Sequence, residues 1–223
     1  MFDRVRAARG AAVAGLATLG ISAWFASAGA VGCDGGAPVS AVSALGAFQM
    51  ARSTEALNLA IGCVERLDIL NSMNRVDLYT FIVSYGLFLI LATLALASGR
   101  LRRLALMLIG VGLVGDVIET ATQLWIGAHW PAVETLMLQM LAVGSSLKFA
   151  GLALGSAALG VSMARSLLGM SRWLGAGVAA FGLLELLVFI RPGAPFGVIA
   201  MLLLIAACAI NARRAEIRTS ADV

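Results

Sequence analysis

The stretch 115–123, GDVIETATQ, places two carboxylates and an amide inside an apolar run that extends from residue 104 to residue 128. On a helix, Asp116, Glu119 and Gln123 are spaced so that they share one face. Each acid in the middle of a membrane helix costs about 2.5–3.5 kcal/mol, whereas each Leu, Ile or Val returns only about 0.3–0.6 kcal/mol. The cost of the two acids nearly cancels the contribution of the eleven Leu, Ile and Val residues between 104 and 126. Neighbouring segments must therefore shelter this face from lipid.

The composition indicates that those neighbouring segments also lie in a membrane. The chain has 223 residues, of which 61% are hydrophobic and 13% charged, and its mean hydropathy is +0.96. These values lie outside the range of soluble proteins and predict several membrane spans. We therefore expect an all-α, polytopic membrane protein in which residues 1–223 form a single membrane domain. The six predicted transmembrane helices cover residues 11–31, 78–98, 104–126, 134–163, 173–190 and 196–210.

Residues 32–76, the cap segment, form the longest stretch outside the predicted spans. The segment opens with a turn-like sequence at 34–38, and Ser53 is a plausible helix N-cap. We expect two short amphipathic helices that lie on the membrane or over the end of the bundle, either as a packed connector or as a lid. Their apolar residues recur at helical spacing: Val39, Val42, Leu45 and Phe48 in the first, and Leu57, Ile61, Val64 and Leu67 in the second.

The arginines predict the orientation of the chain. Six spans place both termini and the loops near 99–103 and 165–172 on one side, with the cap segment and the turn at 191–195 on the other. The first side carries eleven arginines and the second carries four. The positive-inside rule makes the first side cytoplasmic. The eleven are Arg4, Arg6, Arg9, Arg100, Arg102, Arg103, Arg165, Arg172, Arg213, Arg214 and Arg218; the four are Arg52, Arg66, Arg75 and Arg191.

The expected location is a bacterial inner membrane, with both termini cytoplasmic and the cap segment periplasmic. The abundance of Ala, Gly and Arg beside a single Lys is typical of a bacterial source. Residues 1–31 are interpreted as a retained helix, because the apolar run exceeds a typical signal-peptide core, although small residues at 26–30 leave cleavage open. In the periplasm Cys33 and Cys63 are expected to form a disulfide worth about 3–4 kcal/mol; two free thiols are the alternative.

The charged, amide and tyrosine side chains within or beside the predicted spans lie in the middle or the periplasmic half, whereas the cytoplasmic halves hold no ionisable side chain. This distribution predicts a polar cleft that opens to the periplasm and binds a ligand. The candidate residues are Asp77, Tyr85, Asp116, Glu119, Gln123, Lys148 and Glu185.

Lys148 is the only basic residue inside another apolar segment. Spans three and four are joined by a short connection, so they should be antiparallel neighbours that bring Lys148 to the depth of Asp116 and within reach of Glu119. One lysine cannot neutralise two acids, so a proton, a second cation or water must compensate the other. Asp116, Glu119 and Lys148 form either a structural ion-pair group that fixes the register of the helices or a binding site.

The remaining motifs exclude several function classes. The sequence contains no hydrolase elbow, zinc-protease pair or phosphate loop, and its single histidine rules out a haem held by two histidines. We therefore predict no catalytic residue, no metal site and no cofactor. The arginines lie at segment ends rather than on one basic face, which argues against nucleic-acid binding.

Three functions are consistent with these features. The first is non-catalytic binding of a lipid, a small molecule or a partner subunit through the cleft. The second is proton- or cation-coupled transport, and the third is an intramembrane enzyme that acts on lipid-linked substrates. The expected partners are membrane lipids and either a partner subunit or further copies of the chain.

Overall fold

The computed structural model describes residues 3–33, 36–189 and 196–221 and is 86% helical. Six helices are long and apolar enough to cross a membrane, which confirms the all-α, multi-pass prediction. The turn at 191–195 lies outside the described residues, as do residues 34 and 35 of the turn at 34–38. The helices are Arg4–Ala26 (α1), Ala41–Gln49 (α2), Thr54–Ile61 (α3), Val64–Val76 (α4), Ile82–Leu96 (α5), Gly99–His129 (α6), Thr135–Ser166 (α7), Met170–Leu184 (α8) and Phe196–Ala221 (α9).

The second membrane helix begins earlier than the hydropathy pattern predicts. A π-helical turn, Asp77–Phe81, joins α4 to α5, so the helix is continuous from Val64 to Leu96 rather than confined to 78–98. The predicted helix through Leu57 and Leu67 is therefore wrong as a single element. Gly62 adopts a φ of +73°, a left-handed conformation that ends α3.

The cap segment packs against the ends of α6 and α7. Phe48, Leu57 and Ile61 form one buried apolar cluster with Ile126 and Leu141. The N-cap prediction is confirmed, because Ser53 Oγ accepts a hydrogen bond from the Ala56 N–H at 3.2 Å.

The start of the cap segment differs from prediction. The first span ends at Ala26, and two short antiparallel strands follow, Ala30–Val31 (β1) and Val39–Ser40 (β2). Val42 is 47% exposed, so the predicted apolar face of α2 is rotated toward Ala41 and Ala44. Cys33 and Cys63 lie at disulfide distance, with their sulfur atoms 2.07 Å apart.

The membrane helices form a closed ring in sequence order. Among the described residues, α1 packs on α5, each later helix packs on the next, and α9 returns to α1. At one end of the ring Ala7, Ala97, Met163 and Ala212 share an apolar cluster, whereas the cap segment covers part of the other end. We call these the terminal end and the cap end.

Glycines bring α6 and α7 into close backbone contact. A Cβ on Gly112 would lie 2.8 Å from the backbone nitrogen of Leu152, and one on Gly144 would lie 2.6 Å from the Glu119 nitrogen. Gly115 and Gly151 likewise face the backbones of Lys148 and Gly112. Small residues permit this approach, so the glycines of α6 and α7 account for the close packing of these two helices.

Replacing Gly112 by alanine should destabilise the protein, because its Cβ would meet backbone that cannot move aside. Overpacking of this kind costs about 1–3 kcal/mol. Gly110→Ala, on the same helix with open space around it, is the matched control and should preserve or raise the thermal midpoint in detergent. Equal midpoints for the two variants would contradict the close α6–α7 packing.

Candidate functional site

Lys148 on α7 lies between two carboxylates of α6. Its Nζ is 2.7 Å from Asp116 Oδ1 and 3.4 Å from Glu119 Oε2. Both carboxylate side chains are 0% exposed, and the lysine side chain is 13% exposed. The glycine contacts explain the arrangement, because Gly115 and Gly144 let the two backbones approach until one lysine reaches both acids.

Two further residues complete the charged group. Tyr85 on α5 donates a hydrogen bond to Asp116 Oδ2, the carboxylate oxygen that Lys148 does not contact. Asp77, in the π-helical turn, is buried and accepts a hydrogen bond from Thr120 Oγ1 at 2.8 Å. Its charge and that of Asp116 both act on Glu119. We call Asp77, Tyr85, Asp116, Glu119 and Lys148 the acid–lysine cluster.

The acid–lysine cluster carries more negative than positive charge, since three carboxylates share one lysine. Arg52 of the cap segment adds a more distant positive charge: its Nη2 donates to Ser145 Oγ on α7 at 2.8 Å, and its charge interacts with Glu119. Partial burial lowers the pKa of Arg52, and the charge of Glu119 opposes that effect. Within the described residues, the buried acids are therefore not fully balanced by ion pairs.

The two other predicted site residues lie outside this cluster. Gln123 is fully buried one helical turn beyond Glu119, toward the cap end, and neither atom of its amide has a hydrogen-bond partner among the described residues. Glu185 follows α8, where its carboxylate contacts the backbone of Gly197.

A cavity of about 250 Å³ lies between the membrane helices and is partly open at its surface. All six membrane helices line it, and most of its wall is apolar, with residues such as Phe88, Val178 and Leu204. Asp116, Lys148, Tyr85 and Glu185 supply polar groups to the same wall. Three members of the acid–lysine cluster, Tyr85, Asp116 and Lys148, therefore border the same cavity as Glu185.

Four polar side chains of α4, α6 and α7 are not among the predicted site residues: Asn71, Asn74, Thr120 and Ser145. Thr120 and Ser145 lie beside charged residues of α6 and α7, so helical periodicity could have identified them. Asn71 and Asn74 fall within the predicted cap segment, because their polarity lowers the local hydropathy. The described residues contain no group of three or more His, Cys, Asp or Glu that could hold a metal ion.

No family model matches the chain, and neither a curated protein nor a solved structure matches it.

Lys148→Met should lower the free energy of unfolding by about 3–5 kcal/mol, because it leaves buried carboxylates without their ion-pair partner. Tyr85→Phe removes one hydrogen bond to a charged group and should cost about 1.5–3 kcal/mol. Thermal unfolding of the purified variants measures both effects.

Arg75→Met removes a cation from the exposed face of α4 and serves as the control, with little expected effect. A Lys148→Met variant as stable as Arg75→Met would mean that the buried charges do not depend on the lysine.

Proposed function

We propose that the protein is an integral inner-membrane protein that binds a lipid or small molecule in the central cavity without catalysis. The observation that carries this proposal is the apolar cavity of about 250 Å³ with an ion pair in its wall. Ligand sites are usually concave, mostly apolar and marked by a few convergent polar groups. The cavity volume lies just below the usual range of about 300–1,000 Å³ for small-molecule sites, which favours a small ligand or part of a lipid chain.

The cavity wall indicates the chemistry of the ligand. An apolar body would contact Phe88, Val178 and Leu204, while a polar group would face Lys148 and Asp116. Lys148 can donate and Asp116 can accept, so the polar group is one that does both, such as a hydroxyl or an amide. A partner subunit is a weaker candidate for this space because the cavity lies inside the ring.

A proton- or cation-coupled transporter is the second candidate. The surplus of buried carboxylates over lysine favours it, because such groups in membrane proteins commonly exchange protons or bind ions. No contact among the described residues favours the third candidate, an intramembrane enzyme.

The proposed orientation has the terminal end in the cytoplasm and the cap end in the periplasm. The arginine asymmetry supports it, since the arginine-rich loops all belong to the terminal end. The close approach of Cys33 and Cys63 at the cap end also supports it, because disulfides persist in oxidising compartments.

Filling the cavity should remove the ligand while the fold persists. In Ala153→Phe and Ala200→Phe a large ring would occupy the space, and mass spectrometry of the purified protein should show at least a tenfold loss of a copurifying lipid or small molecule.

Val143→Phe, on the exposed face of α7, is the matched control and should retain the ligand. Equal amounts of the same molecule in all three variants would contradict binding in the cavity.

Fusions to reporter enzymes test the orientation. Alkaline phosphatase, which is active only in the periplasm, should be active when fused after residue 50 and inactive when fused after residue 168 or at the C-terminus. The opposite pattern would invert the proposed topology.

A further inference from the structure

Polar residues face each other along the contact between α4 and α6. Thr120 donates to Asp77, and a Cβ on Gly127 would collide with the side-chain oxygen of Asn71. These two contacts fix an antiparallel register in which Asn74 lies opposite Gln123. We call Asn74, Asp77, Glu119 and Gln123 the polar seam.

The polar seam contains side chains that are buried but unsatisfied. Asn74 and Gln123 are both 0% exposed, and all four of their amide atoms lack hydrogen-bond partners among the described residues. Glu119 Oε1 has no hydrogen-bond partner there, and Glu119 Oε2 has only its ion pair with Lys148 at 3.4 Å. Buried polar groups in proteins are nearly always paired with protein, water or ligand. A polar species therefore belongs among these side chains.

The surplus of negative charge around the polar seam favours a cation. The charged and titratable groups that interact with Asp77 or Glu119 are Arg52, Tyr85, Asp116 and Lys148, and Glu185 lies farther away at the cavity. Lys148 lies closer to Asp116 than to Glu119, and Tyr85 also donates a hydrogen bond to Asp116. Asp77 and Glu119 are thus the acids whose charge is least compensated.

The donor set favours a monovalent over a divalent ion. Hard cations prefer oxygen ligands, and Ca²⁺ takes six to eight, several of them carboxylates. The described residues hold no metal-binding group of three or more acids, cysteines or histidines. The seam instead combines two acids with two neutral amides, and the π-helical turn that begins at Asp77 is an irregularity often found at functional sites.

We propose that the polar seam binds one alkali metal cation of the sodium class. Its ligands are the carboxylates of Asp77 and Glu119 and the side-chain oxygens of Gln123 and Asn74. Each amide can turn its oxygen to the ion while its NH₂ group donates to a carboxylate. None of these four residues lines the central cavity, so the site is distinct from that of the proposed cavity ligand.

The first test uses the purified full-length protein in detergent. Its thermal midpoint is compared in sodium chloride and in choline chloride of equal ionic strength, and sodium binding is measured by equilibrium dialysis with radioactive sodium. The midpoint should rise by about 5–10 °C when sodium reaches about one hundred times its Kd. Dialysis should show saturable binding of one ion per chain.

Four variants locate the effect. Gln123→Leu and Glu119→Gln should lose the sodium-dependent rise. Gln139→Leu and Glu134→Gln make the same chemical changes at exposed positions and should retain it. If a seam variant does not fold, Asn74→Leu replaces it, and the dialysis result for the wild-type protein still decides whether a sodium site exists.

Three results would overturn the proposal. The first is the absence of saturable sodium binding together with equal midpoints in the two salts. The second is a response to pH alone, which would mean that protons rather than an alkali cation compensate the acids. The third is a sodium effect that survives in both seam variants, which would assign the ion to another place. Equilibrium dialysis measures bound sodium directly, so its result does not depend on whether the central cavity contains a ligand.

Discussion

The structure depends on the contact of Lys148 with Asp116 and Glu119. Two buried acids cannot face lipid, and the lysine that compensates them reaches both only because α6 and α7 approach at their glycines. Tyr85 joins α5 to Asp116, and Asp77 joins the adjoining π-helical turn to Thr120 of α6. The charged group thus ties three membrane helices together, and the remaining helices close the ring around the cavity that it borders.

The cap segment and the polar seam follow from the same constraint. Asn74 and Asp77 are too polar for lipid, so α4 must pack against α6, and the cap segment covers the neighbouring end of the bundle with Phe48, Leu57 and Ile61. Arg52 extends from this segment to Ser145 and adds a positive charge near Glu119. The cap segment therefore contributes to the electrostatics of the buried acids as well as to packing.

The charged core could be predicted because helical spacing and charge balance depend only on local sequence. Asp116 and Glu119 are three residues apart, so they share one face of the helix wherever it begins or ends. Lys148 is the only basic residue in a neighbouring apolar segment. The extension of the second membrane helix back through α4 could not be predicted. Asn71, Asn74 and Asp77 lower the hydropathy of this segment, and only its packing against α6 shelters them from lipid. The break at Gly62, the closure of the ring by α1 and α9, and the cavity depend on contacts between residues distant in sequence.

We propose that the acid–lysine cluster contributes to ligand binding in addition to fixing the register of the helices. The most direct test is the triple variant Asp116→Asn, Glu119→Gln, Lys148→Met, which removes the lysine together with both acids that it contacts, so that none of the three is left without its ion-pair partner. Its thermal midpoint and its copurifying molecules are measured together against the wild-type protein. We predict a folded protein of similar stability that has lost its lipid or small molecule. A folded triple variant that retains the same molecule in the same amount would contradict the claim.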